Sequence, residues 1–205
     1  ALPSPAQIER TPPSAFARRG RRFHDHATMP GRATPGMRYA FSYGVPYTNP
    51  ALTTARAREL GRAAAYTPPN YPMPQGLPAL REAVCDYLAR RRGVRAAPAD
   101  VLIVAGTQQA MALTARVLLD VGESAVLEEP HYTAMREVLQ IHGAQVEAVE
   151  VDAHGLRLDR LPAAPPKLVC VTPSHQFPSG VVMSLERRLE LLAYASRHDC
   201  WIFED

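Results

Sequence analysis

Short apolar runs alternate with segments of helical periodicity along residues 101–205, and this alternation is the strongest constraint on the fold. The runs that predict strands lie at 101–105, 125–127, 146–151, 168–172 and 200–203. The helices predicted between them begin at Thr107, at about residue 131 and after the capping residue Ser184. Strands joined by helices in this order pair in parallel, with helices on both faces of the sheet. The sequence therefore predicts an α/β fold, a three-layer sandwich around a mainly parallel sheet.

The first part of the chain has a different character. Residues 1–36 contain six prolines among small and basic residues, so we expect a linker or an arm there rather than a helix or strand. Its basic cluster, 18–22, is interpreted as a solvated linker, with contact to phosphates as the alternative. Further along, helices are predicted at 51–65 and from Pro78 to the stop signal Gly93.

Composition argues against several classes of protein. No stretch approaches the ~20 apolar residues that a membrane crossing needs, and residues 1–30 lack the apolar region of a secretory signal. The cysteines, Cys85, Cys170 and Cys200, are odd in number and far apart, which argues against a disulfide scaffold or a cysteine metal site. The net charge of +3 gives no reason to expect nucleic-acid binding by these residues. We expect a cytoplasmic protein with no membrane contact.

In sheets of this kind a ligand binds beyond the carboxyl ends of the strands. The first such end reads Gly106-Thr107-Gln108, where a strand passes into a helix and free amides meet the positive end of the helix dipole. These residues predict an anion site, and a phosphate is the anion we expect there. The alternative is an ordinary glycine turn with Thr107 as the helix cap. The glycine patterns of dinucleotide-binding and P-loop proteins are absent from the sequence.

Two further strand ends carry groups suited to a flat ligand. Tyr132 follows the second strand and could stack on a heteroaromatic ring, although ordinary packing is the alternative. Asp205 follows the last apolar strand, where a carboxylate can pair with a protonated ring nitrogen or simply begin a loop. His131 and His175 fall at the same edge, but their spacing does not favour a metal site.

In this order and spacing the motifs resemble fold-type-I pyridoxal-phosphate (PLP) enzymes of the class I/II aminotransferase family. Within it, the sequence is most similar to the aminotransferase-like domain of MocR-type members of the GntR transcriptional regulators. The resemblance rests on residues 71–81, 105–110, 129–132, 151–156, 172–180 and 203–205. Each phrase is weak alone, and six in sequence are specific.

The resemblance implies roles for the matched positions. It places the cofactor phosphate on Gly106, Thr107 and Gln108, the ring against Tyr132, and the ring nitrogen at Asp205, which would keep that nitrogen protonated. It also implies that Tyr71 reaches the phosphate of a partner subunit, and hence a homodimer.

Two departures from the family pattern concern the ring. Phe177 stands where many members have an asparagine that contacts the ring oxygen, as is usual in the regulator branch, and His175 or Gln176 is the candidate replacement. Met73 stands where an acidic residue is usual.

The largest departure concerns the lysine that PLP catalysis requires. The only lysine, Lys167, stands at the entrance of a predicted strand and should point away from the site. We therefore expect residues 37–205 to be the front part of the large domain, truncated before the catalytic lysine and inactive alone.

Three functions remain open from the sequence. The first is the PLP-sensing domain of a MocR-type regulator, which responds to an amino acid or amine and binds DNA only through a domain outside this sequence. The second is part of a stand-alone aminotransferase that transfers an amino group to a 2-oxo acid. The third, an α/β binding module without a cofactor, requires that the motif matches be accidental.

Overall fold

The computed structural model describes residues 12–24, 38–39, 49–66 and 70–205. Contacts divide the chain into a sheet unit, formed by Ala1–Asp25 with Val104–Asp205, and a helical unit, formed by His26–Ile103. The described helices are α1 (Ala15–His24), α2 (Pro50–Tyr66), α3 (Pro78–Arg92), α4 (Thr107–Leu118), α5 (Thr133–His142) and α6 (Leu185–His198). Among them, none has both the length and the apolar character that crossing a membrane requires.

The sheet unit is built on a sheet whose described strands are β1 (Ser124–Glu129), β2 (Gln145–Asp152), β3 (Gly155–Leu156), β4 (Leu168–Val171) and β5 (Trp201–Glu204). Their order across the sheet is β3-β2-β1-β4-β5. The strands β1, β2, β4 and β5 run parallel, and the two-residue β3 pairs with β2 in the antiparallel sense. The prediction of a mainly parallel sheet is confirmed.

The core lies on both faces of this sheet because successive strand residues point to opposite sides. On one face, Leu127 of β1 packs in a cluster with Met111 of α4 and Leu139 of α5. On the other face, the adjacent Val126 packs in a second cluster with Leu191 of α6. Helices therefore cover both faces, which confirms the three-layer arrangement.

Local signals in the sequence set several helix ends. Ser184 caps α6, since its Oγ accepts a hydrogen bond from the backbone N–H of Arg187 at 3.2 Å. The helices α3 and α5 end at Gly93 and Gly143, whose φ angles of 68° and 100° lie in the left-handed region that glycine tolerates. The predicted cap and both predicted stops are confirmed.

The segment predicted to be a linker or an arm contains a helix, which was not expected. Helix α1 includes the basic cluster 18–22 and packs on the end of α5. Arg19 Nε donates to the Ile141 carbonyl at 2.7 Å, and Phe16 meets the His142 ring edge-on at 5.2 Å between centroids. The prolines on either side of this helix suggested irregular chain, but the ten residues of the helix itself include none.

The remainder of the predicted linker, apart from residues 12–14, lies outside the described residues. Its boundary at residue 36 stays a prediction.

The apolar run 101–105 is not a strand, so this part of the prediction is wrong. Ile103 belongs to the helical unit, where its N–H donates to the Gln75 carbonyl at 2.9 Å. Its side chain packs so closely on Gly76 that a Cβ there would clash with it. A five-residue apolar run is compatible with either a strand or a buried loop. Here Ile103 contacts the loop at Gln75, and the run forms a loop.

The helical unit contains the two predicted helices, α2 and α3, with α2 one residue longer than expected at each end. Arg81 of α3 is buried and donates through Nη1 to the Gln75 side chain and to the Pro98 carbonyl, both at 2.9 Å. These bonds join the start of α3 to the segments before and after it.

Candidate functional site

The first element of the candidate site is the beginning of α4. Gly106 precedes the helix with φ 119° and ψ 175°, and no described side chain caps the helix. Gln109 folds back, and its Oε1 accepts the Ala105 N–H at 2.6 Å. Thr107 is the first helical residue rather than the cap, so the alternative interpretation of an ordinary threonine cap is wrong. The uncapped first turn presents amide donors and the positive dipole end.

The second element is Asp205, directly after β5. Its backbone N–H donates to the Val171 carbonyl at 3.1 Å, which extends the β4–β5 pairing to the last residue. Its carboxylate Oδ1 accepts a hydrogen bond from Thr107 Oγ1 at 3.3 Å. Two sequence-predicted residues from distant parts of the chain are therefore in direct contact at the carboxyl edge of the sheet.

The third element is Tyr132, which immediately precedes α5. Its half-buried ring packs against the cluster that also contacts Phe203, two residues before Asp205. It meets the Phe177 ring edge-on, with centroids 6.1 Å apart. A small cavity beside it is lined by Cys170 of β4 and by Thr172, which directly follows β4. Burial raises the pKa of the Cys170 thiol, which keeps this sulfur protonated and unreactive.

Behind Tyr132 lies a buried polar network centred on Glu128 and Gln176, each 3% exposed. Glu128 Oε2 accepts from the N–H and the hydroxyl of Thr172, at 3.1 and 2.5 Å, and from Gln176 Nε2 at 3.3 Å. Gln176 Nε2 also donates to the Pro130 and Phe177 carbonyls, at 2.6 and 2.8 Å. Because its amide is committed to these partners, Gln176 is not the replacement for the family's ring-oxygen contact.

The two histidines at this edge have different surroundings. Arg136 Nε donates to His131 Nε2 at 3.0 Å, so the ring proton lies on Nδ1, which donates to the Glu128 carbonyl at 2.9 Å. His131 therefore has a structural role. His175 is exposed on the loop after β4, and its contact with a cofactor stays a prediction. Within the described residues there is no cluster of three side chains suited to a metal ion.

The remaining predicted residues lie elsewhere. Lys167 precedes β4 at the amino edge of the sheet, and its Nζ lies 3.6 Å from Asp199. It points away from the carboxyl edge, as predicted. Tyr71 belongs to the helical unit and is fully exposed, and its contact with a partner subunit stays a prediction.

The predicted site residues do not include Glu128, although the sequence contains a signal for its contact with Thr172. Glu128 and Thr172 stand at or just beyond the carboxyl ends of β1 and β4, which are neighbours in the sheet. A carboxylate and a hydroxyl at matching ends of neighbouring parallel strands are placed to form a hydrogen bond. Finding the pair requires the strand order, which local patterns do not supply.

The chain is similar in sequence to a known protein family and to several known proteins. The family model described as "Aminotransferase class I and II" matches residues 41–205. The chain is 38% identical over 182 residues to the "Probable rhizopine catabolism regulatory protein MocR" of Rhizobium meliloti, across 87% of this chain and 37% of that protein. It is 44% identical over 128 residues to the HTH-type transcriptional regulator TauR of Rhodobacter capsulatus, across 62% of this chain and 26% of that protein.

Among solved structures, the kynurenine aminotransferase of Pyrococcus horikoshii, in complex with PMP, matches with a TM-score of 0.67 and 28% identity. The match covers 76% of this chain and 40% of that enzyme. The chain thus spans less than half of the length of each of these three proteins. Since the family match covers most of its residues, this chain belongs to the aminotransferase class I and II family.

Proposed function

We propose that this chain binds PLP at the carboxyl edge of its sheet, as part of the sensing domain of a MocR-type transcriptional regulator. The observation that carries the proposal is the hydrogen bond between Thr107 and Asp205. It brings the start of α4, suited to a phosphate, beside a carboxylate suited to a protonated ring nitrogen.

The residues present fit the two charged ends of this cofactor. At one end, the uncapped amides after Gly106 suit a phosphate, with Thr107 and Gln108 beside them. The positive φ of Gly106 leaves open space where a side chain would otherwise project. At the other end, Asp205 supplies an anionic acceptor for a ring N–H. Tyr132 is proposed to stack on the ring between these ends.

Bound PLP supplies an electron sink for carbanions formed next to an amine nitrogen. The chain's own residues bind and orient it. The Thr107 hydroxyl donates to Asp205 and so holds that carboxylate in one orientation. The edge-on contact with Phe177 restricts the Tyr132 ring in the same way.

The wider assembly is part of the proposal. Two relatives with high identity bear the names of regulatory proteins, which supports a regulator over a free-standing enzyme. The proposed regulator is a cytoplasmic homodimer, with Tyr71 reaching the partner's cofactor, an amino acid or amine as the ligand, and DNA bound through a separate domain. The match to an aminotransferase solved with PMP supports the alternative of a transaminating enzyme.

Binding of pyridoxamine 5′-phosphate to the intact protein tests the proposal by calorimetry, since this amine form of the cofactor needs no lysine. We expect wild-type protein to bind it and the Thr107→Ala/Gln108→Ala variant to bind at least about tenfold more weakly, because the variant lacks the Gln108 amide beside the phosphate and the Thr107 hydroxyl that orients Asp205. Pyridoxamine without the phosphate is the ligand control and should bind more weakly. Absence of binding to wild-type protein would overturn the proposal.

A second measurement separates the regulator from the enzyme. A regulator should shift a labelled promoter fragment in a gel when the intact protein is added, and this shift should respond to the cofactor. An aminotransferase should instead form a 2-oxo acid from an amino donor under the same conditions.

A further inference from the structure

We infer that Glu128 is a positioning residue for the ring-binding side chains, which it holds through Thr172 and Gln176. This inference rests on the proposed function, because it concerns the same edge of the sheet. It assigns a role to a buried carboxylate that touches neither the phosphate-binding turn nor Asp205.

Glu128 is buried, and none of the described cationic side chains pairs with it. Its side chain is 3% exposed, and no described basic side chain forms an ion pair with it. One oxygen, Oε2, accepts three hydrogen bonds, whereas the buried Oε1 has no partner among the described residues. Burying a carboxylate is unfavourable, so the three donors to Oε2 are what make this position tolerable.

The side chain of Gln176 forms hydrogen bonds to groups on two loops. This amide bonds to Glu128, to the Pro130 carbonyl and to its neighbour's carbonyl at Phe177. Its Oε1 accepts the N–H and the hydroxyl of Ser179, at 3.1 and 2.5 Å. A single side chain therefore joins the loop after β1 to the loop after β4.

The network is also connected to Tyr132, the side chain proposed to stack on the ring. Pro130 lies two residues before Tyr132, and Phe177 meets Tyr132 edge-on. Both loops that Gln176 joins thus carry an aromatic side chain of the proposed ring site. Glu128 is one of several groups that fix the orientation of the Gln176 amide, with the Pro130 and Phe177 carbonyls and Ser179 as the others. By holding this amide and Thr172, it helps to fix the separation of the two loops that carry the aromatic rings.

The test compares Glu128→Ala, Glu128→Gln and Glu129→Ala in the intact protein. Glu128→Ala removes the acceptor of three hydrogen bonds, whereas Glu128→Gln keeps one oxygen in the position of Oε2. Glu129→Ala is the matched control, since this neighbouring carboxylate is exposed and lies near His131 and Arg136 rather than Thr172 or Gln176. The two measurements are hydrogen exchange of residues 129–133 and 172–181 without ligand, and the affinity for pyridoxamine 5′-phosphate.

We expect Glu128→Ala to exchange faster in both loops and to bind the ligand about tenfold more weakly, with Glu128→Gln and Glu129→Ala close to wild type. Unchanged exchange or unchanged affinity in Glu128→Ala would overturn the inference, as would equal losses in Glu128→Gln. If Glu128→Ala fails to fold, Thr172→Val removes one donor only and should speed exchange in the same two loops.

The outcomes also separate this inference from the proposed function. If wild-type protein binds no ligand, the proposed function fails, and the role of Glu128 in ligand positioning fails with it. If wild-type protein and Glu128→Ala bind the ligand equally well, only the inference fails.

Discussion

The Thr107 hydroxyl donates a hydrogen bond to Asp205 Oδ1 over 3.3 Å, although 98 positions separate the two residues in the sequence. Both side chains are exposed, so the contact is not a by-product of core packing. It joins the positive end of α4 to the negative group that follows β5. A ligand with an anionic tail and a cationic ring finds complementary groups side by side here.

Replacement of Asp205 by asparagine should weaken binding of pyridoxamine 5′-phosphate by about tenfold or more, because a hydrogen bond to a charged group is lost. Binding of inorganic phosphate should not weaken, since the amides at the start of α4 remain and a neighbouring negative charge is removed. Isothermal calorimetry with both ligands measures the difference. Glu204→Gln, at the exposed neighbouring carboxylate, is the control, and an equal loss in that variant would contradict the prediction.

Truncation of Leu127 to alanine should lower the free energy of unfolding by about 2–5 kcal/mol, because this fully buried side chain leaves a cavity between β1 and the helices α4 and α5. Leu189→Ala, on the exposed side of α6, should change it by only about 0.5 kcal/mol or less. Urea unfolding followed by circular dichroism provides both values. Similar losses in the two variants would show that Leu127 is not in the core.

Asp152 should make the stability of the fold decrease in acid. The N–H of His154, with help from Arg187, lowers the pKa of this carboxyl below its ordinary value of 3.8. A group with a lowered pKa stabilises the fold above 3.8 and loses this contribution as the pH falls through its lower value in the folded protein.

The Asp152→Asn variant should therefore be less stable than wild type at about pH 7, with a smaller difference at about pH 3. Urea midpoints at the two pH values give the comparison. Glu147→Gln, at an exposed position on β2, controls for the loss of one carboxylate. A deficit in Asp152→Asn that does not shrink in acid would contradict the assignment.

The cysteines should differ in their reactivity. Burial raises the pKa of Cys170 and of Cys200, so few thiolates form at either position, whereas Cys85 is partly exposed. Iodoacetamide should modify Cys85 in the native protein and the other two only after urea is added. Peptide mass spectrometry identifies the modified positions. Modification of native Cys170 as fast as Cys85 would contradict the buried placement of β4.

Helix α1 should be held on α5 by Phe16 as well as by Arg19. Phe16→Ala should allow trypsin to cut within residues 15–24 several times faster, because local unfolding of the helix makes the peptide bonds after its arginines accessible. Phe16→Leu keeps an apolar side chain at this position and should lie between the two. Timed digestion followed by mass spectrometry gives the rates, and equal rates in all three proteins would mean that Phe16 does not hold the helix.

Several parts of the fold follow from local patterns. Ser184 and Gly143 indicate helix ends in the sequence. The ability to cap a helix with a hydroxyl, or to adopt a positive φ, is a property of the residue type itself. The strands β1 and β4 are recognisable because both of their faces are buried, so that apolar residues are continuous.

Other parts depend on contacts between distant residues. Ile103 resembles a strand residue in sequence, but its partner is the loop at Gln75 rather than a strand. The link between Glu128 and Gln176 spans 48 positions and is visible only once β1 and β4 are neighbours. The resemblance to a family could indicate where a ligand binds, but not which buried groups hold the binding side chains in place.

Lys167 is the only lysine of the sequence and lies at the amino end of β4, while the candidate site lies at the carboxyl end. Four strand residues separate the two edges by about 13 Å. A dye attached to the Lys167 side chain would therefore lie outside the ligand edge. Energy transfer from that dye to a bound, absorbing ligand would report occupancy of the site optically.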